Sequence, residues 1–130
     1  MMEFIYFNSR DELLRIRTDK IVYFEGNGNY TTIVAANKLK SSVGLNLGVM
    51  EKSLASQLGQ EASIFLRVGK RYIINTRYIF RINIQRQTLT LSDASLFAFN
   101  LNVSKEALKS MKQLIIKYIN TQKHGTDNRP

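Results

Sequence analysis

FLRVGKRYIINTRYI, residues 65–79, sets two runs of β-branched and aromatic residues around a short basic insert, RVGKR. Runs of this kind, broken by a glycine, read as two strands joined by a turn. A hairpin tip needs only polar residues, yet Arg67, Lys70 and Arg71 bracket Gly69. Glycine supplies the positive φ that a tight turn asks for. One reading of the insert is a plain solvated hairpin tip; the competing one is a cationic loop held out on a rigid pair of strands.

The flanking sequence repeats the strand pattern. FIYF (4–7) and ELLRIRTDKIVYFEG (12–26) are rich in β-branched and aromatic residues, and DKIVYFE has the character of a buried strand. GNGN (26–29) marks a turn, and YTTIVA (30–35) reads as the returning strand of a hairpin. A second turn is expected near Asn37 and Lys38. Leu47, Met50, Leu54 and Leu58 then recur at spacings of three and four, one face of a short helix that Gly59 is placed to cap.

After the basic insert come YIFRINI, TLTL and SLFAFNLNV. Alternation puts Tyr78, Phe80, Ile82 and Ile84 on one face, with Arg81 and Asn83 on a wet one. In SKEALKSMKQLIIKYI, the residues Leu108, Met111, Leu114 or Ile115, and Tyr118 make an apolar stripe at helical spacing. Ser104 is an N-cap candidate, and Glu106 suits the positive end of the helix dipole. The expected fold class is α+β, mostly β, with antiparallel sheets, a short mid-chain helix and a C-terminal helix. Residues 1–120 read as one domain and 121–130 as a disordered polar tail.

The 130 residues suffice for a single core, and 44% hydrophobic with 22% charged side chains is the balance of a globular protein. Net charge is +9, and it is one-sided. Residues 1–61 carry 7 basic and 7 acidic side chains, whereas residues 62–130 carry 12 basic and 3 acidic ones. Such a field suits a polyanion, either nucleic acid or an anionic membrane surface. No apolar run is long enough to span a bilayer, and the N-terminus turns polar after Phe7, unlike a signal peptide. The expected compartment is the cytoplasm.

Catalytic chemistry lacks its parts. The chain has no cysteine, which excludes disulfides and thiolate metal sites, and its one histidine, His124, lies in the polar tail. Asp11, Glu12, Asp19 and Glu25 are scattered and show no metal-ligand spacing. No enzyme activity, cofactor or metal is expected. GNGN fails as a dinucleotide loop because strand-like residues follow it in place of a helix. Gly69 and Lys70 lack the upstream glycine and the following Ser or Thr of a Walker loop. Lys105, beside Ser104 at a helix start, instead pairs a cation with backbone N–H groups that suit phosphate.

Taken in order, DKIVYFEGNGNYTTI, a short helix, FLRVGKRYIINTRYI and LSD…LNVSKEALKSM resemble the LytTR DNA-binding domain of bacterial transcription regulators. That family pairs an I-x-Y-I-E strand and a following aromatic with a central F-x-R-x-H-R-S-[YF]-[ILV]-[VI]-N segment and a late Ser–Arg. Ile21, Tyr23, Phe24, Glu25 and Tyr30 match the first part. Phe65, Arg67, Tyr72, Ile73, Ile74, Asn75 and Ile79 match the second, and Ser104 and Lys105 the third. The likeness covers roughly residues 4–119. Gly69, Lys70 and Arg71 replace the usual His-Arg-Ser, and Lys105 replaces the arginine. Cationic character survives both changes, but lysine lacks the guanidinium fork that reads guanine.

The resemblance implies an elongated, mostly antiparallel fold whose loops enter successive major grooves of bent double-stranded DNA. Its contact residues carry over to Asn29, Tyr30, Lys70 and Lys105, and Arg71 joins them on its charge and neighbourhood. It implies a response-regulator-like transcription regulator, here standing alone, with homodimeric binding to paired sites and a separate sensor or signalling protein as partner. Two other classes compete with it. One is a basic interaction module for an acidic protein or an anionic membrane surface, and the other is an RNA-binding domain, which would favour exposed aromatics on a sheet face. Arg67 reads equally well as a brace for the loop, and Asn75, behind three apolar residues, as a buried cap for backbone groups.

Overall fold

In the computed structural model, which describes residues 3–122, the apolar runs become ten strands and two helices. They are β1 (Phe4–Asn8), β2 (Leu13–Arg17), β3 (Ile21–Asn27), β4 (Tyr30–Ala35), β5 (Lys40–Val43), α1 (Leu47–Leu58), β6 (Phe65–Val68), β7 (Tyr72–Asn75), β8 (Ile79–Asn83), β9 (Thr88–Ser92), β10 (Ala98–Asn102) and α2 (Lys105–Gln122). Short 3-10 segments, Thr18–Lys20, Gly59–Ile64 and Thr76–Tyr78, turn the chain between them. This is the α+β, mostly antiparallel architecture that the sequence leads one to expect. His124 and the rest of the expected tail from residue 123 onward lie outside the described residues.

A five-stranded sheet, ordered β5-β4-β3-β7-β6 with antiparallel neighbours, forms the middle layer. One face packs Ile21, Phe24, Ile33 and Ile73 against Ile5 and Phe7 of β1 and against Leu47, Met50, Leu54 and Leu58 of α1. The other packs Val22, Tyr23, Val34, Val68, Tyr72 and Ile74 against Leu89, Leu91, Leu101, Leu108 and Met111. Those last five come from the three-stranded β10-β9-β8 sheet and α2. An irregularity in the β3–β4 register between Ile21 and Tyr23 explains why consecutive Val22 and Tyr23 serve the same core. A central sheet buried on both faces reads as a continuous apolar run, as in IVYF. Each fully buried Ile or Phe there contributes about 1.5–3 kcal/mol.

Local chemistry fixes the ends of the elements. Asn46 caps α1 by accepting from the Val49 N–H at 2.9 Å, and Gly59, at φ 59°, ends it with its N–H on the Ala55 carbonyl. Ser104 Oγ accepts from the Ala107 N–H at 3.2 Å, so the expected N-cap of α2 is in place with Glu106 in the first turn. Gln57 of α1 grips Tyr6 of β1 twice: Nε2 donates to its carbonyl at 2.8 Å and Oε1 accepts from its N–H at 2.9 Å. Asn75 is fully buried. Its Nδ2 donates to the Ile21 carbonyl at 2.9 Å and its Oδ1 accepts from the Arg77 N–H at 3.0 Å. The capping role expected of Asn75 therefore holds, and it also ties β7 to β3.

Three expectations need correction. Phe80 does not share a face with Ile82 and Ile84, because the β8–β9 register shifts between Ile79 and Arg81 and leaves Phe80 57% exposed. The inserted residue moves Ile79 into the core position that strict alternation gives to Phe80. On α2, Leu108 and Met111 meet the core as expected and Ile115 takes the place open to it or Leu114, whereas Tyr118 is exposed. The helix also continues to Gln122, two residues into the expected tail.

Asn75→Ala removes one buried and one part-buried hydrogen bond and takes the amide donor from the Ile21 carbonyl, so it should cost about 2–4 kcal/mol. A urea titration reads this as a lower midpoint, and an unchanged midpoint would refute the cross-strand role. Phe80→Ser should stay within about 0.5 kcal/mol of the parent in the same titration.

Candidate nucleic-acid interface

Strand register gathers the cationic turns at one end of the molecule. β3 and β7 run antiparallel with Tyr23 opposite Ile74, Phe24 opposite Ile73 and Glu25 opposite Tyr72. The Gly26 N–H extends that ladder by donating to the Arg71 carbonyl at 2.8 Å. The turn of Gly28 and Asn29 and the turn of Gly69, Lys70 and Arg71 therefore project from the same end of the sheet. α2 starts beside the second of them, since a Cβ on Gly69 would lie 3.9 Å from that of Ala107. Asn29, Tyr30, Lys70, Arg71 and Lys105, far apart in sequence, share this end.

Each turn is held rigid. Asn27 pairs with Tyr30 across a two-residue β3–β4 turn in which Gly28 takes φ 63°, the left-handed value of the first position in a II′ turn. Asn29 is exposed at its tip, and Tyr30 is 58% exposed. The next residue, Thr31, is buried, and its Oγ1 donates to the Leu45 carbonyl at 2.7 Å, which binds the hairpin to the loop before α1. In the basic turn, Gly69 has φ 62°. Arg67 braces that turn: one terminal nitrogen donates to the Lys70 carbonyl at 3.2 Å and the other to Glu51 Oε1 of α1 at 3.1 Å. Arg67 Nε is buried without a partner among the described residues.

The five candidates are not electrostatically equal. Lys70 and Lys105 are exposed, and neither has a carboxylate within salt-bridge reach among the described residues. Arg71 is paired with Glu25 Oε2 at 2.7 Å, although its side chain stays 64% exposed. Its guanidinium also lies 5.7 Å from the Tyr72 ring centre. Burial pushes the Tyr23 and Tyr72 phenols up, and the Glu25 carboxylate adds to the rise, so both hydroxyls stay neutral around pH 7. Sequence reasoning treated Glu25 as part of a motif and missed that it neutralises Arg71. It also left open the role of Arg67, whose carboxylate partner sits 16 residues upstream.

Among the described residues no cluster of three or more His, Cys, Asp or Glu could hold a metal ion. No described helix is long and apolar enough to cross a membrane. The family model of the LytTr DNA-binding domain matches residues 11–116. Among solved structures, the chain is similar to the LytTr DNA-binding domain of a protein described as a methyl-accepting/DNA response regulator from Bacillus cereus. The TM-score is 0.59 at 19% identity, with 86% of this chain and 95% of that one covered, a likeness of fold. No curated protein matches the chain.

Gly69→Ala meets no close atom, so its cost is conformational, about 1–2 kcal/mol for a left-handed alanine. Gly69→Asn should recover part of that loss, because asparagine tolerates the region better. Urea midpoints of the two variants check this, and equal midpoints would show that the positive φ is not the constraint.

Proposed function

Since the chain belongs to the LytTR family of DNA-binding domains, we propose that it regulates transcription by sequence-specific binding to double-stranded DNA through the turns at one end of its central sheet. The observation that carries this reading is the convergence of both hairpin turns and the start of α2 on one rigid end, through the β3–β7 register. Asn29 and Tyr30 contact DNA from the first turn and Lys70 from the second, each turn entering a major groove. Lys105 holds a phosphate beside the first N–H groups of α2. Arg71 is the reserve cation. A surface ion pair is worth only about 0–1 kcal/mol, so a phosphate can draw Arg71 away from Glu25.

The same reading makes residues 1–120 one DNA-binding domain that works in the cytoplasm as a response-regulator-like protein. It binds as a homodimer on paired sites, and a separate sensor or signalling protein supplies its signal. A base-stacking RNA platform has little support. The exposed aromatics Tyr6, Tyr30, Phe80 and Tyr118 stand on four separate elements and form no row. A purely electrostatic module for acidic proteins or membranes predicts binding that ignores duplex sequence.

Fluorescence anisotropy with labelled duplexes tiled from DNA upstream of the protein's own gene tests the proposal, against shuffled duplex and single strand at low and physiological salt. One tile should bind well above the shuffled control at physiological salt. Equal, salt-erased binding to every polyanion would refute sequence-specific recognition. On the preferred tile, Lys70→Ala should cost about 1–3 kcal/mol and relax specificity. Lys105→Ala should weaken all duplexes alike and lower the salt slope by about one unit.

A further inference from the structure

The β8–β9 turn, residues 84–87, reaches the same end of the molecule by another route. Its last residue, Gln87, sits in the left-handed region at φ 55°, and its carbonyl accepts from the Val103 N–H at 3.0 Å. Val103 lies two residues before Lys105, so the turn is bonded directly to the segment that launches α2. Three further bonds stiffen it. The Gln87 N–H donates to the Ile84 carbonyl at 3.1 Å, the Arg86 N–H to Asn83 Oδ1 at 2.9 Å, and Thr88 Oγ1 to the Arg86 carbonyl at 3.0 Å. All of them use the backbone of the turn. The Arg86 side chain is exposed and makes no ion pair or hydrogen bond among the described residues.

That freedom sets Arg86 apart from Arg67 and Arg71, which are held by Glu51 and Glu25. Lys70 and Lys105 are point donors without a planar fork. Resting on the DNA-binding reading above, we propose that Arg86 is a further DNA contact, a phosphate clamp set beside Lys105 through the Gln87–Val103 bond. A guanidinium offers two parallel donors to one phosphate, and a turn already locked by four hydrogen bonds loses little freedom when it binds. Phosphate is the partner because the turn stands on the second sheet, outside the two hairpins assigned to the grooves.

Arg86→Gln keeps the turn backbone and removes the charge. Its duplex affinity should fall about ten-fold on preferred and shuffled duplexes alike, and its salt slope should fall by about 0.9. Arg86→Lys should keep the slope. Arg77→Gln, beyond the opposite end of β7, removes the same charge and should leave the slope at the parent value. An unchanged slope in Arg86→Gln, with the parent binding normally, would overturn the clamp while leaving the loop reading intact. An equal drop in Arg77→Gln would overturn it in favour of net charge alone. A parent that fails to bind duplex above single strand would overturn both readings. Matching urea midpoints for Arg86→Gln and parent would show that the fold is not the cause.

Discussion

The pairing of β3 with β7 is the constraint on which the rest of this structure depends. These strands are some fifty residues apart in sequence, with α1 between them, and their ladder is closed at both ends by further bonds. At one end the Gly26 N–H reaches the Arg71 carbonyl, and at the other the buried Asn75 amide reaches the Ile21 carbonyl. A slip of one residue would exchange Ile73 with Ile74 and so swap the two cores. The same slip would stagger the two cationic turns. The hydrophobic pattern thus fixes not only the fold but also the relative height of the groups presented to a nucleic acid.

Much of this was legible in the sequence because its signals are short-range. Alternation, turn glycines and the Ser104 cap are read within a few residues; the turn glycines and the cap reappear where the pattern puts them, and alternation holds wherever the strand register is unbroken. Phe80 was misread because a register shift breaks the period of two without any glycine or proline to announce it. Tyr118 was misread because helical spacing reports which face is apolar, not how far the core extends beneath it. The LytTR resemblance rested on joint spacing, so it survived the loss of the family's His and Arg at the two cationic places.

The candidate contacts are legible in the sequence as single residues and not as a surface. Asn29, Tyr30, Lys70, Arg71 and Lys105 were each picked out from sequence, and strand register brings them to one end. Their electrostatic state was hidden, since Glu25 and Arg71 are 46 residues apart and meet only because β3 and β7 do. Arg86 gave no signal at all. Its place at this end follows from the β9–β10 register, which sets Asn102 opposite Thr88, and from the main-chain bond between Val103 and Gln87.

The β3–β4 turn has only two residues between paired strands, and its neighbour Thr31 is pinned to the loop before α1. The β6–β7 turn has three, with Arg67 bonded across them. Insertions at either place would have to break a ladder bond or unseat a brace. In this scaffold, then, divergence of recognition is channelled into side-chain replacement at fixed positions. The lengths of the turns are effectively frozen, so relatives that read different targets should differ at these tips by letter and not by gap.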